Sequence, residues 1–277
     1  MTFLVHAVGH MKMNVRDMDA VTEDATDILG LHVSYRDARQ TWLSSNGRRA
    51  ELVLLQAGED AAHTVGLEAL TEAAVREVET RAEAAGCRVL SREPSLDCMK
   101  AGVTIATPEG LRFEVHTPIK DDPSARRHPI TGVGPIRMDH VNVLTPDPVA
   151  TQRQLHAMMG LRLAEKLVDD SLVWMYGGNR QHHILGLVKG KVGLHHTSFE
   201  LKEFNDYLKL GDILDRKDKQ VVWGPGRHRP GDNTYAYYLD ASGAMIECAG
   251  NMSPSPTTRI TSPTSSRTSP VPATCGP

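Results

Sequence analysis

The sequence has few of the features that mark several common classes of protein. Only four cysteines occur among its 277 residues, and none of them forms a CxxC pair. Their scarcity argues against a disulfide framework and favours a reducing, cytoplasmic compartment. No apolar run reaches the roughly 18 residues that a transmembrane helix needs. The N-terminus, MTFLVHAVGHMK, also lacks the basic region and long apolar core of a signal peptide, so we expect neither secretion nor membrane insertion.

An excess of basic residues is missing as well. With 31 Lys and Arg against 34 Asp and Glu, the formal net charge is −3. No basic surface is therefore expected for nucleic acid or an anionic membrane, and a small-molecule partner is favoured. The chain is 40% hydrophobic and 23% charged, which is typical of a soluble globular protein, and its length predicts two domains.

An internal repeat is present. The matching pairs of segments share their order and an offset of 130 to 133 residues. They are VGHMKMNV (8–15) with MDHVNVLT (138–145), ILGLHV (28–33) with MMGLRL (158–163), and TPEGLRFEV (107–115) with DASGAMIEC (240–248). A repeat of this length indicates one module written twice.

Each copy begins with an alternating strand, continues with a helix-length segment (about 16–30 and 147–160) and ends in several strand-like runs. This order predicts an α+β fold of two tandem domains, each made of paired βαβββ modules that form curved, open mixed-sheet barrels. The tail is Ser/Thr/Pro-rich and has too little apolar surface to offset its ordering entropy, so we expect it to be disordered. The predicted divisions are a non-catalytic domain at 1–120, a linker at 121–135, a metal-binding domain at 136–252 and the tail at 253–277.

Three side chains of the second copy form a candidate metal site: His140 in MDHVNV, His196 in LHHTSF and Glu247 in MIECAG. Each lies in a different strand-like run, and a curved sheet can bring such residues together on its concave face. Two imidazoles and one carboxylate leave about three positions open on a six-coordinate ion, an arrangement suited to Fe(II) oxygen chemistry.

The adjacent histidines His195 and His196 cannot both face this site unless the strand bulges, because strand side chains alternate between faces. Thr197 and Phe199 continue the apolar face. The alternation therefore assigns His196 to the site and His195 to the opposite face.

With these residues, the second copy resembles the catalytic domain of the type I extradiol catechol dioxygenases (catechol 2,3-dioxygenase-like) of the vicinal oxygen chelate superfamily. The most specific part is GPGRH followed by TYAYYLDASGAMIE. The resemblance covers about 136–250, and the repeat extends it to 5–118. It implies that His140, His196 and Glu247 bind Fe(II), with Mn(II) as the other candidate, that the substrates are a catechol and O2, and that the chain forms a homo-oligomer.

The resemblance also implies roles for further residues. His182 in RQHHILGL is placed at the acid–base histidine of oxygen activation, and His228 and Tyr237 would hydrogen-bond the substrate oxygens. Supporting or pocket-lining roles are implied for His195, Asn142 and Trp174.

The implied reaction is ring cleavage beside the two hydroxyls, giving a yellow 2-hydroxymuconate semialdehyde-type product. Homoprotocatechuate-type members have an arginine before GPGRH, where Trp223 stands here. This departure favours a catechol with an uncharged alkyl, aryl or fused-ring substituent. Two alternatives stay open: a glyoxalase- or epimerase-like metalloenzyme of the same superfamily, and a non-enzymatic small-molecule binding protein.

The first copy is expected to hold no metal. It retains His10 and Glu114, but alignment of the apolar faces puts Thr64 at the position of His196 and leaves His63 at that of His195. Partners for the other polar residues of the second copy are also absent from it.

Overall fold

Four βαβββ units follow one another in the computed structural model, which describes residues 2–123, 125, 131–255 and 259–261. Within the described part of the chain, no helix has the length and apolarity needed to cross a membrane. The helices are α1 (Met18–Asp24, continued by a π-helical turn at Ala25–Leu29), α2 (Glu72–Ala84), α3 (Pro148–Met159) and α4 (Asn205–Arg216). The strands are β1 (Ala7–Val15), β2 (His32–Arg36), β3 (Gln40–Ser44), β4 (Leu52–Gln56), β5 (Ala61–Glu68), β6 (Arg88–Ser91), β7 (Gly102–Ala106), β8 (Arg112–His116), β9 (Arg137–Thr145), β10 (Arg162–Leu167), β11 (Leu172–Tyr176), β12 (Leu185–Lys189), β13 (Gly193–Glu200), β14 (Trp223–Arg227), β15 (Thr234–Leu239), β16 (Met245–Gly250) and β17 (Arg259–Thr261).

The strands form two open mixed sheets with the same internal plan. The first sheet has the order β2-β3-β4-β1-β5-β8-β7-β6, and the second has the order β14-β15-β16-β13-β9-β12-β11-β10-β17. At the centre of each sheet the opening strands of two units pair antiparallel, β1 with β5 and β9 with β13. The predicted fold class, two tandem domains of paired βαβββ modules, is confirmed. The domain boundaries stay a prediction, with which these strand ranges are consistent.

Polar caps and glycine ends fix the first helix of each copy. The Asp17 side chain accepts from a backbone N–H of α1, and Asp147 accepts from two at the start of α3. Gly30 and Gly160 end these helices with φ of 82° and 72°, a left-handed conformation that glycine adopts without steric cost. The repeated glycines of the sequence are therefore helix ends.

The two halves share one hydrophobic core, which includes buried side chains of the first domain such as Leu67 and Phe113 together with Leu187 and Phe199 of the second. A polar contact also joins them. The buried Glu51 accepts from the backbone N–H of Met138 at 3.0 Å, at the start of β9. Burial would raise the pKa of Glu51, but Arg48 and the surrounding donors hold it below its usual value.

The tail corrects one expectation, because part of it pairs with the second domain. Ser253 accepts from the His182 backbone N–H at 3.1 Å and donates to Gly231 O at 2.9 Å, and Ser255 donates to Arg180 O at 2.7 Å. Strand β17 adds to β10 in parallel. Backbone hydrogen bonding needs no apolar side chain, so the expected disorder does not hold for 253–255 and 259–261. The remaining tail, 256–258 and 262–277, lies outside the described residues.

Truncation after Met252 is expected to destabilise the protein, whereas truncation after Thr261 is not. The shorter chain loses the three backbone bonds of Ser253 and Ser255, each of which contributes about 0.5–1.5 kcal/mol. The melting temperature should fall by several degrees, at about 2–4 °C per kcal/mol for a chain of this size. Thermal unfolding of both truncated chains beside the full chain measures this, and equal melting temperatures would show that the pairing is dispensable.

Candidate metal centre

Strands β9, β13 and β16 bring His140, His196 and Glu247 together. His140 and Glu247 each pair with Ser198, on either side of β13, and His196 lies two residues earlier on that central strand, on the same face. Glu247 Oε2 lies 2.9 Å from His140 Nε2 and 3.1 Å from His196 Nε2. The two Nε2 atoms are 3.2 Å apart, and all three side chains are buried. These are the three metal ligands predicted from the sequence, and the fold brings them to one point.

The donor set fits a divalent first-row metal ion, since two imidazole nitrogens and one carboxylate oxygen converge. Among the described residues, no fourth His, Cys, Asp or Glu belongs to this cluster. Burial would lower the pKa of His140, but the charge of Glu247 and the contact with Asp139 raise it to about 9. The pocket therefore stabilises a positive charge between two carboxylates.

Asp139 supports the first ligand, a role that sequence reasoning missed. Its Oδ2 lies 2.7 Å from Nδ1 of His140, and its Oδ1 accepts from Gln181 Nε2 at 2.7 Å. A carboxylate on the distal nitrogen fixes the ring of a ligating histidine and increases its basicity. Alternation along a strand puts neighbouring side chains on opposite faces, yet the Asp139 carboxylate reaches the Nδ1 edge of His140.

His195 contacts His196 on the side away from the cluster. The two Nδ1 atoms lie 2.7 Å apart, and the ladder is irregular between Leu194 and His196, so a bulge is present. Burial and the adjacent His196 lower the pKa of His195 to about 3. The neutral His195 ring is thus placed to hold the His196 ring, and its supporting role stays a prediction.

His228 and Tyr237 form a pair beside Glu247. Tyr237 pairs with Glu247 across β15 and β16, and its hydroxyl lies 2.9 Å from His228 Nε2. His228 Nε2 is also 3.5 Å from Glu247 Oε1, and the Tyr237 ring packs edge-on against His196. Burial and the charge of Glu247 raise the pKa of Tyr237 well above its usual value, so the phenol stays protonated.

Asn142 and Trp174 occupy the same face as the ligands. Asn142 pairs with His196 and lies over Gly186, where any Cβ would collide with the Asn142 amide. Trp174 pairs with Gly186 on the other side. Glycine at 186 therefore makes room on the concave face, and the Oδ1 of Asn142 has no hydrogen-bond partner within the described residues.

The histidine pair at 182 and 183 is arranged differently from the prediction. The ring of His183 packs on that of His140, with centroids 4.3 Å apart. His182 lies behind it, with its Nδ1 3.1 Å from Nδ1 of His183 and its Nε2 3.3 Å from the buried Glu165. Burial, with the nearby charge of His140, lowers the pKa of His183 well below its usual value. The doubled HH was visible in the sequence, whereas Glu165 carried no signal.

The first domain contains a cation of its own at the corresponding place. The pairing of β1 with β5 sets Thr64 opposite Lys12, as β9 and β13 set His196 opposite Asn142. The buried Lys12 ammonium lies 3.5 Å from Glu114 Oε2 and hydrogen-bonds Ser95. Burial would raise the pKa of Glu114, but His10 and Lys12 hold it below its usual range.

Comparisons with known proteins agree with this geometry. The chain is 24% identical over 268 residues to metapyrocatechase of Pseudomonas sp. (strain CF600), covering 88% of this chain and 86% of that enzyme. It is 27% identical to a manganese-dependent 2,3-dihydroxybiphenyl 1,2-dioxygenase of Geobacillus genomosp. 3, over 89% of this chain and 85% of that enzyme. The Mn(II)-bound glyoxalase of Novosphingobium aromaticivorans superposes with a TM-score of 0.87 at 23% identity, covering 94% and 88% of the two chains.

The family comparison concerns the first domain. Its match runs from residue 7 to residue 115, which spans β1 to nearly the end of β8. The second domain repeats the same order of elements and pairs its strands in the same way. Residues 7–115 are thus similar to the Glyoxalase/Bleomycin resistance protein/Dioxygenase superfamily, and the second half of the chain has the same module architecture.

Proposed function

We propose that the protein is an extradiol catechol dioxygenase, which opens the ring of a catechol beside its hydroxyls and incorporates both atoms of O2. The observation that carries the proposal is the buried cluster of His140, His196 and Glu247 with the His228–Tyr237 pair directly against it. The relatives named as metapyrocatechase and dihydroxybiphenyl dioxygenase support the same reaction.

The three ligands would hold Fe(II) or Mn(II), which when bound supplies the Lewis acidity and redox chemistry for catechol and O2 to react. The neutral Tyr237 would donate a hydrogen bond to a substrate oxygen. The partly exposed His228 would accept the proton of the substrate hydroxyl or return it. Fe(II) rather than Mn(II), homo-oligomerisation and a cytoplasmic location stay predictions.

The acid–base role predicted for His182 is proposed for the pair of His182 and His183. His183 makes the direct contact with the ligand His140, and His182 contacts His183 from behind. A positioned acid–base residue contributes about 10²–10⁴-fold in rate. Replacement of either ring by phenylalanine is therefore expected to slow ring cleavage while the three ligands stay in place.

A glyoxalase-like reaction is the second candidate, since a glyoxalase has the same fold. The donor cluster argues against it, because such enzymes usually complete the metal sphere with a further protein ligand. In the described part of this chain, no fourth His, Cys, Asp or Glu donor joins the cluster. Glu165 is the carboxylate that comes into question as such a further ligand, but its Oε2 lies 3.3 Å from the imidazole Nε2 of His182.

The substrate side of the pocket is aromatic. Trp223 stacks on Tyr237, with centroids 5.1 Å apart and an angle of 17°, and also contacts Tyr235 and His228. This half-buried aromatic wall offers apolar surface, and it supports an uncharged alkyl, aryl or fused-ring substituent.

Trp223→Arg is expected to reverse this preference. An arginine there would pair with a substrate carboxylate and would lose the apolar contact, so kcat/KM should fall for an aryl catechol and rise for a carboxylate-bearing one. The two substrates compared on wild type, Trp223→Arg and a Trp223→Phe control measure the effect. A parallel loss for both substrates would show that Trp223 is structural.

The proposed activity is tested on protein purified and loaded anaerobically with Fe(II) or with Mn(II). A panel of catechols is then followed for oxygen uptake and yellow product, with methylglyoxal and glutathione as the glyoxalase assay. One O2 consumed per ring opened is the expected result. Stoichiometric metal with no oxygen uptake on any catechol would overturn the proposal.

A further inference from the structure

A buried carboxylate that the proposed reaction leaves unused stands on the ligand face of the second sheet. Glu165 of β10 is 2% exposed and pairs with Trp174, which pairs with Gly186. Gly186 in turn pairs with Asn142, and Asn142 with His196. Residues paired directly across neighbouring strands share a face. Glu165 thus belongs to a row of paired residues that crosses five strands to His196.

A second path leads from Glu165 to the ligands through side chains. Its Oε2 lies 3.3 Å from Nε2 of His182, whose Nδ1 lies 3.1 Å from Nδ1 of His183. The His183 ring then packs on His140 at a centroid distance of 4.3 Å. All four side chains are buried. Water is therefore a poor substitute for any of these contacts.

The path fixes which nitrogens carry protons. A carboxylate beside Nε2 favours the His182 tautomer with its proton on Nε2, which leaves Nδ1 as an acceptor. The atom of His183 that faces it is also an Nδ1. Nδ1 of His183 must therefore carry a proton and donate it to Nδ1 of His182. The one remaining acceptor of neutral His183 is then Nε2. A single carboxylate thus sets the hydrogen-bonding state of two rings in series.

We propose that Glu165 is a positioning residue, which holds His182 in its Nε2–H tautomer and through it orients His183 beside the metal ligands. The inference rests on the proposed function for its kinetic consequence, but its structural part does not. Glu165 acts here through His182 and touches neither substrate nor metal.

The test compares Glu165→Gln with the conservative Glu165→Asp and with the control Asp170→Asn. Asp170 is a half-exposed carboxylate between β10 and β11. Protein labelled with ¹⁵N-histidine is loaded with Zn(II), and the His182 signal is assigned by its loss in His182→Phe. The wild type should show the Nε2–H pattern. Glu165→Gln should lose this pattern or show a mixture of the two His182 tautomers, while Glu165→Asp and Asp170→Asn should keep the Nε2–H pattern. An unchanged tautomer in Glu165→Gln would overturn the inference.

The kinetic arm uses the metal-loaded enzyme and an active catechol. Glu165→Gln should lower kcat by about 10–100-fold, the usual effect of losing such a support, with little change in KM or metal content, and Glu165→Asp should recover part of the rate. If Glu165→Gln lost metal, lowered kcat and raised KM together, Glu165 would have a structural role and the inference would be contradicted. Wild-type protein without oxygen uptake would defeat the proposed function alone, since the Zn(II) experiment would still decide the tautomer.

Discussion

His196→Ala is expected to abolish stoichiometric metal binding and oxygen uptake, whereas His195→Ala keeps its metal and loses only part of the rate. His196 Nε2 is one of three donor atoms that meet in the buried cluster, so its removal leaves two. His195 instead contacts Nδ1 of His196. Loss of such a supporting contact typically costs about 10–100-fold in affinity or activity. Metal analysis after anaerobic loading, followed by oxygen uptake, measures both.

The pair of variants is its own control, because the two changes remove the same group from adjacent positions of β13. Equal loss of metal in both would contradict the assignment. Thermal unfolding of the metal-free proteins separates loss of metal from loss of fold.

Lys12→Met is expected to destabilise the first domain strongly. The substitution leaves the buried Glu114 carboxylate without its ammonium partner, and breaking a buried ion pair on one side costs about 3–5 kcal/mol. At about 2–4 °C per kcal/mol, the melting temperature should fall by more than about 6 °C.

The double variant Lys12→Met/Glu114→Gln should recover much of this loss, because it also removes the charge that Lys12 compensates. Lys202→Met, at an exposed position, is the matched control and should have little effect. If the double variant is no more stable than Lys12→Met alone, then the packing of Lys12 rather than its charge is what matters.

Most of the fold was predictable because it is a repeated local pattern. Gly30 and Gly160 recur since each ends a helix in a left-handed conformation, and the alternating opening strands recur since each occupies the centre of a sheet. The pairing of 253–255 and 259–261 was not predictable from composition. It depends on free backbone groups at a sheet edge, which the tail's side chains do not reveal.

The candidate site was predictable where strand alternation and residue type alone identify a side chain as a possible metal ligand. His140, His196 and Glu247 lie in separate strands with the register that alternation requires. Asp139 and Glu165 were missed because their roles depend on the reach of a side chain and on a neighbouring strand. Sequence spacing also could not decide which ring of the His182–His183 pair contacts His140, since both are buried in a segment before β12 begins.

The hydrogen bond from Met138 to Glu51 has a consequence for how the two halves depend on each other. Met138 lies two residues before His140, so the first half contacts the strand that carries this proposed metal ligand. Coupling free energies are reciprocal. If docking of the two halves strengthens metal binding, then a bound metal strengthens the docking by the same free energy. On the proposed assignment of the ligands, we therefore expect the first half to contribute to metal affinity and a bound metal to make the two halves harder to separate.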